Sequence, residues 1–112
     1  MTTLDELIKH YGTPDVIKLD TEGYELPALL GLSQKISLVW FESNLPEFFE
    51  ETLGCLKQLH KLDPNAQFNF AINTTENPAV RFELAAWAPY RTMEQIVRSA
   101  RYRFMEIYVR SD

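Results

Sequence analysis

The sequence has little cysteine, little glycine and no long apolar run, and each shortage excludes a class of protein. A single cysteine, Cys55, cannot form an internal disulfide, so a domain held together by disulfides is excluded. The four glycines are too widely spaced for a glycine-rich phosphate or dinucleotide loop. No apolar stretch approaches the roughly 20 residues that cross a bilayer, and the first residues lack the apolar core of a signal peptide. We therefore expect a cytoplasmic protein without a membrane span.

Basic residues are also scarce. The 112 residues include 11 Lys and Arg against 16 Asp and Glu, which gives a net charge of −5. The main basic concentration, Arg98, Arg101 and Arg103, is interpreted as a solvated helix face. Because a nucleic-acid partner requires several cations on one surface, we expect no binding to nucleic acid.

The remaining composition is that of one globular domain spanning residues 1–112. Apolar residues make up 46% of the chain, enough for a modest core. Amphipathic helices are predicted from Thr3 to Gly12, after Asn44, and from a cap at Thr92. Strands are predicted at 15–19, 36–41, 67–72, 81–87 and 104–109. Helices that alternate with apolar strands indicate an α/β domain, with a mostly parallel sheet, an antiparallel edge and helices on both faces.

Acidic residues follow the first two predicted strands. Asp20, Glu22 and Glu25 come after the first strand, and Glu42 follows the second. In open α/β sheets, ligands bind beside the carboxyl ends of the strands. Carboxylates gathered there suit a cation such as Mg²⁺, or they orient a sugar hydroxyl and accept its proton. Alternatively, Asp20 caps a helix and Glu22 and Glu25 interact with the dipole of that helix. Both interpretations are open at this stage.

The other reactive side chains are given structural interpretations. Cys55 lies in an apolar helical pattern and is predicted to be a buried hydrophobic residue. His10 and His60 lie near helix ends, where an exposed histidine is favourable. Trp40 lies in the middle of a strand and is assigned to the core, while Trp87 lies near a proline at a strand end, where contact with a ligand is conceivable.

Several segments resemble the FkbM-type S-adenosylmethionine-dependent methyltransferases. Residues 3–7, TLDEL, and residues 17–25, IKLDTEGYE, resemble the family signature TLDDL … IKIDVEGxE. Residues 29–32, LLGL, resemble the LKG segment that follows in the family. Residues 38–42, LVWFE, are similar to the next strand of the family, which ends in an acid, and residues 107–110, IYVR, resemble the closing DIYAR. The resemblance covers almost the whole chain.

The resemblance implies a class I, Rossmann-like methyltransferase fold with a seven-stranded sheet. Such enzymes use S-adenosylmethionine to methylate oxygen, commonly on sugars or polyketide-like products. The family pattern places Asp20 and Glu22 beside the methyl-transfer site as acceptor-orienting or base-like catalytic groups. Glu42 would lie near the acceptor as a supporting group, and Thr21 replaces the usual valine of the signature.

The cofactor site of the family uses a glycine-rich turn and an acid that belong upstream of Thr3. The chain is therefore expected to be the C-terminal half of the enzyme, without the N-terminal cofactor-binding strands, and to be inactive alone. Strand 15–19 is central in the complete fold, so its apolar edge would be exposed here. Exposed edges pair with other strands, which predicts a homodimer or another partner that covers this strand.

Two other functions are compatible with the sequence. The chain is alternatively a non-catalytic α/β interaction or assembly module that has kept the fold without the cofactor. A third interpretation is a metal-dependent enzyme that uses Asp20, Glu22 and Glu42.

Overall fold

The computed structural model describes residues 3–19, 25–44, 49–72, 82–99 and 101–111. Helices and strands alternate along these residues. In chain order they are α1 (Leu4–Tyr11), β1 (Val16–Leu19), α2 (Glu25–Leu30), β2 (Leu38–Asn44), α3 (Phe49–Leu62), β3 (Gln67–Ala71), α4 (Tyr90–Arg98) and β4 (Phe104–Arg110). In this described part of the chain, no helix is long and apolar enough to cross a membrane.

Both predicted ends of α1 are confirmed. The backbone N–H of Glu6 donates to Oγ1 of Thr3 over 3.1 Å, so Thr3 supplies the N-terminal cap. At the other end, Gly12 has φ of 90°, and its N–H donates to the carbonyl of Ile8 over 2.7 Å. This left-handed conformation is disfavoured for side chains with a Cβ, which explains why glycine ends the helix.

The sheet is mixed, as the sequence predicts, with strand order β1-β2-β4-β3. The predicted antiparallel edge is wrong, because the antiparallel strand β4 lies between β2 and β3. β1 and β2 are parallel, and β4 runs antiparallel to both β2 and β3. The carboxyl ends of β1, β2 and β3 therefore lie at the same edge of the sheet as the amino end of β4. We call this the carboxyl edge, and it is where the sequence predicts a site.

The core lies between the sheet and a layer formed by α2, α3 and α4, which contact one another in that order. Side chains alternate between the two faces of a strand, so Val39 and Phe41 point into this core while Trp40 and Glu42 point to the opposite face. Ile107 of β4 and Leu56 of α3 are fully buried in the same cluster. The further expectation of helices on both faces stays a prediction.

Three predicted boundaries are wrong. β2 begins at Leu38 and continues through Asn44, because β4 pairs with it along its full length. Glu42 and Asn44 thus lie within a strand, and the predicted start of the next helix directly after Asn44 falls on residues 45–48, outside the described residues. α4 begins at Tyr90 after Pro89, so Thr92 lies inside the helix. The described part of the predicted strand at 81–87 is irregular.

The segment 82–88 nevertheless covers the outer edge of β3. Phe68 and Ala88 exchange two backbone hydrogen bonds, of 2.7 and 2.9 Å. The side chain of Asn69, which is only 1% exposed, binds both backbone groups of Leu84, accepting from its N–H over 3.1 Å and donating to its carbonyl over 3.2 Å. β3 is therefore covered at its outer edge, whereas β1, among the described residues, pairs only with β2.

Candidate active site

Five side chains of β1, β2 and β4 share the sheet face that points away from the helix layer. Glu42 lies opposite Glu106 in the strand register, and Trp40 lies opposite Tyr108. Lys18 lies beside Trp40 on the neighbouring strand. We call this set the polar face, since it carries two carboxylates, an ammonium group and a phenol near the carboxyl edge.

Trp40 organises one side of the polar face. Its ring stacks on the ring of Tyr108 with a centroid separation of 5.0 Å and an interplanar angle of 20°. Nζ of Lys18 lies 4.2 Å from the centroid of the Trp40 ring, within the range of a cation–π contact. The expected core position of Trp40 is only partly met, because its ring is half-buried and lies on the face opposite the helices.

The segment after β3 covers the other side of Tyr108. Phe82 meets Tyr108 edge to face at 5.0 Å and Trp87 at 5.1 Å. The guanidinium of Arg110 lies 4.5 Å from the centroid of the Trp87 ring and also donates to the amide oxygen of Gln67 over 2.7 and 2.9 Å. Trp87 is thus engaged by the protein itself, which gives it a structural role.

Tyr108 is neutral under ordinary conditions. Burial raises the pKa of its phenol to about 12, and the negative charge of Glu106 and a hydrogen bond to that carboxylate add to the effect. The hydroxyl donates to Oε2 of Glu106 over 3.3 Å. A neutral phenol at this position acts as a hydrogen-bond donor and not as a base.

The raised pKa of Tyr108 predicts an alkaline loss of stability. Because the folded state holds the phenol proton more tightly than the unfolded chain, this contribution is complete below pH 10 and is lost as the pH rises from 10.0 to about 12. Urea unfolding across this range should show a steeper fall in stability for the parent chain than for Tyr108→Phe. Equal slopes for the two proteins would contradict the assignment.

Two of the three predicted catalytic residues, Asp20 and Glu22, lie outside the described residues. Glu42, the third, is half-buried in β2, two positions before the end of the strand. Glu25 begins α2 and is 7% exposed, and the next N–H, of Leu26, donates to Oε1 of Glu51 over 3.2 Å. The structure therefore places one predicted acid near the carboxyl edge and leaves its proximity to the other two untested.

A buried hydrogen bond fixes the backbone that carries Glu42. The hydroxyls of Ser43 and Thr52 lie 2.6 Å apart and are both buried. This bond joins the carboxyl end of β2 to the first described turn of α3. Because Ser43 points into the core, its neighbour Glu42 is held on the opposite face.

Glu106 and Tyr108 belong to this region and are missing from the sequence-based site. The signal was present in the alternation of 104–110, which puts Glu106, Tyr108 and Arg110 on one side of a strand. The alternation alone could not indicate that this strand inserts beside β2, since strand order depends on contacts between distant parts of the chain.

The reactive groups considered in the sequence outside this face, Cys55 and His60, have structural roles. Burial, with the charges of Glu51 and Glu25, raises the pKa of the Cys55 thiol far above its usual range, so Cys55 is a buried hydrophobic residue as predicted. The ring of His60 stacks on that of Tyr90 at 4.5 Å. Among the described residues, no group of three or more His, Cys, Asp or Glu is arranged to hold a metal ion.

The described part of the chain has its glycines in three separate places. The described glycines are separate: Gly12 follows α1, Gly31 follows α2, and Gly54 lies within α3. None of them belongs to a glycine-rich turn at the end of a strand, where a backbone could approach the amino-acid part of the cofactor. The polar face offers carboxylates and a phenol, which are groups suited to a hydroxyl-bearing substrate.

A family model described as the methyltransferase FkbM domain matches residues 1–104. Neither a curated protein nor a solved structure matches the chain.

Proposed function

The chain belongs to the FkbM methyltransferase domain family, and from that premise we propose that it supplies the acceptor side of an S-adenosylmethionine-dependent O-methyltransferase. The family match over residues 1–104 is the observation that carries this proposal. Asp20 and Glu22 orient the acceptor hydroxyl and accept its proton, and Glu42 supports them from the next strand. The acceptor is a sugar or another small hydroxylated molecule.

The geometry of the polar face supports a role in holding a hydroxyl group. Glu42 and Glu106 are opposite each other in the register, and carboxylates in such a pair lie on the same face at adjacent positions. Tyr108 keeps its proton and donates a hydrogen bond to Glu106, which helps to fix that carboxylate in place. Carboxylates held on one face can accept a hydrogen bond from the hydroxyl group of an acceptor and so orient it.

We further propose that the chain corresponds to the C-terminal part of a class I methyltransferase sheet. The parallel pair β1–β2 and the antiparallel strand β4 between β2 and β3 support this assignment. S-adenosylmethionine, when bound, supplies an electrophilic methyl group. Because the four glycines of these 112 residues are far apart, the residues that bind the cofactor are proposed to come from another polypeptide segment, and the chain alone is proposed to be inactive.

The edge of β1 is the proposed place where that segment, or a second copy of the chain, binds. A groove of about 450 Å³ runs between α1 and β1, and its apolar lining includes Leu7, Tyr11 and Val16. Tyr11 is 85% exposed and Val16 is 52% exposed. An apolar groove beside an edge strand is favourable for strand pairing. A partner covering strand 15–19, as in a homodimer, would bury these side chains.

Calorimetric titration of S-adenosylmethionine into the purified chain tests the proposed division of the site. The oligomeric state is measured alongside, and Mg²⁺ is titrated separately. We expect no cofactor binding, because the chain lacks the glycine-rich turn. Micromolar binding by the chain alone would contradict the proposed inactivity, and tight Mg²⁺ binding would favour the metal-dependent interpretation of Asp20, Glu22 and Glu42.

One observation favours an alternative, a non-catalytic interaction module. The exposed apolar side chains beside β1 would serve a binding partner equally well without any chemistry. The two functions differ in what the assembled complex does. A complex that covers β1 and still fails to bind S-adenosylmethionine favours the interaction module.

A further inference from the structure

A second cavity lies on the helix side of the sheet, near the carboxyl edge. It has a volume of about 390 Å³ and is bounded by β3, α4 and the two segments that follow them. Phe70, near the carboxyl end of β3, and Tyr102, just before β4, both line it. We call it the α4 cavity. Its volume is within the range of small-ligand sites in proteins.

The floor of the α4 cavity is apolar and partly aromatic. Phe70 is 2% exposed, and its ring lies 5.1 Å from that of Tyr102 at an angle of 58°. Leu84 and Ile96 complete the floor, and both pack against the hydrophobic core. Because Phe70 is almost fully buried, the ring that a ligand can meet is that of Tyr102, which Phe70 supports from the core side. This ring, with the aliphatic side chains beside it, favours a flat, apolar ligand group.

The rim of the α4 cavity is polar and includes one cation. The guanidinium of Arg101 lies 5.7 Å from the centroid of the Tyr102 ring, which it therefore overlies. Arg98 forms an ion pair with Glu94 over 3.7 Å. Among the described residues, no carboxylate lies within 4.0 Å of the Arg101 guanidinium. Arginine binds carboxylates through paired N–H donors, so Arg101 suits an anionic ligand group.

Glu83 supplies an acceptor elsewhere on the rim. Its backbone N–H donates to the carbonyl of Phe70 over 2.8 Å, which fixes the residue beside β3. The side chain is exposed and lines the cavity. A carboxylate accepts hydrogen bonds only, so the ligand group that it suits is a hydroxyl or an amine.

From this combination we propose that the α4 cavity binds a hydroxylated aromatic carboxylate. The aromatic ring lies against Tyr102 and the aliphatic side chains of Leu84 and Ile96, the carboxylate pairs with Arg101, and a hydroxyl of the ligand donates to Glu83. Glu42 points to the opposite face of the sheet, so this binding is independent of the methyltransferase proposal, and either can fail without the other.

The test is a titration of para-hydroxybenzoate into the whole chain, followed by amide chemical shifts. We expect saturable binding with the largest shifts at Gln95, Ile96 and Tyr102. Arg101→Gln should weaken binding about tenfold, as expected for the loss of one charge-assisted hydrogen bond. Arg103→Gln is the matched control: it removes the same charge two residues away, from a position that does not line the cavity, and should change affinity less than about twofold.

Two further ligands separate the parts of the proposal. Para-hydroxybenzamide keeps the ring and hydroxyl but lacks the anion, and it should bind about tenfold more weakly. Glucuronate keeps the anion but lacks a flat ring, and it should also bind more weakly. Absence of saturable binding, equal losses for Arg101→Gln and Arg103→Gln, or tighter binding of glucuronate would overturn the proposal.

Discussion

Replacing Asn69 by leucine is expected to lower the free energy of unfolding by about 3 kcal/mol, since buried backbone groups would lose their partners. The Asn69 side chain accepts from the N–H of Leu84 over 3.1 Å and of Phe70 over 2.9 Å, and it donates to the carbonyl of Leu84 over 3.2 Å. Leucine has a similar volume but can make none of these bonds. Segment 82–88 would then lose its side-chain attachment to β3.

Gln67→Leu is the matched control for this prediction. Gln67 is two residues earlier on the same strand and also makes side-chain hydrogen bonds, to Arg110, but it is exposed. Water replaces such bonds when they are lost, so the expected cost is below about 1 kcal/mol. Urea unfolding of both variants measures the difference. If the two variants lose similar amounts of unfolding free energy, the larger effect expected from the burial of Asn69 is contradicted.

The burial of Asn69 could not be predicted from the sequence. The alternation of β3 predicts one covered face, with Phe68 and Phe70 inside, and this much is confirmed. Asn69 is nevertheless buried, because segment 82–88 lies along the edge of β3. Local periodicity reports which residues share a face, but it contains no information about a distant segment that covers the other face.

Glu42 illustrates the same limit at the candidate site. The predicted strand and its acidic end place Glu42 near the carboxyl edge, and the catalytic role of Glu42 stays a prediction. The structure extends β2 through Asn44, because its pairing with β4 continues from Leu38↔Arg110 to Asn44↔Phe104. Glu106 and Tyr108, the neighbours of Glu42 and Trp40 on the polar face, come from β4. Because β4 is distant from β2 in the sequence, only the residues that follow the first two strands could be predicted as part of the site.

Lys18→Pro is expected to weaken the proposed assembly through β1 by at least about tenfold in dissociation constant. The carbonyl of Asp15 accepts from the N–H of Leu38, so Asp15 and its alternate neighbours Ile17 and Leu19 direct their backbone groups toward β2. The N–H of Lys18 must then point outward, to the open edge. Proline removes that donor and leaves the pairing with β2 intact.

Lys18→Ala separates this backbone effect from the loss of the side chain. Alanine removes the ammonium group and its contact with Trp40 but keeps the outward N–H. Sedimentation of the two variants, with circular dichroism to verify folding, measures the result. We expect the alanine variant to associate as the parent does. If both variants associate equally well, the assembly does not form through the edge of β1.

The two edge strands of the sheet, β3 and β1, differ in how far the described residues cover them. Segment 82–88 covers β3, and its backbone bonds occupy the groups that an edge strand otherwise exposes. Beside β1, the described residues leave Leu7, Tyr11 and Val16 exposed around an apolar groove. This difference between the two edges supports the proposal that a partner binds at β1.

The most direct test of the account is to express this chain together with the cofactor-binding part of another FkbM-type methyltransferase and to titrate S-adenosylmethionine into the purified complex. We expect a one-to-one complex that binds the cofactor with micromolar affinity and that Lys18→Pro disrupts. We further expect that Glu42→Gln leaves cofactor binding unchanged, since Glu42 is assigned to the acceptor. Failure of the two parts to associate, or a complex formed through β1 that leaves S-adenosylmethionine unbound, would contradict the account.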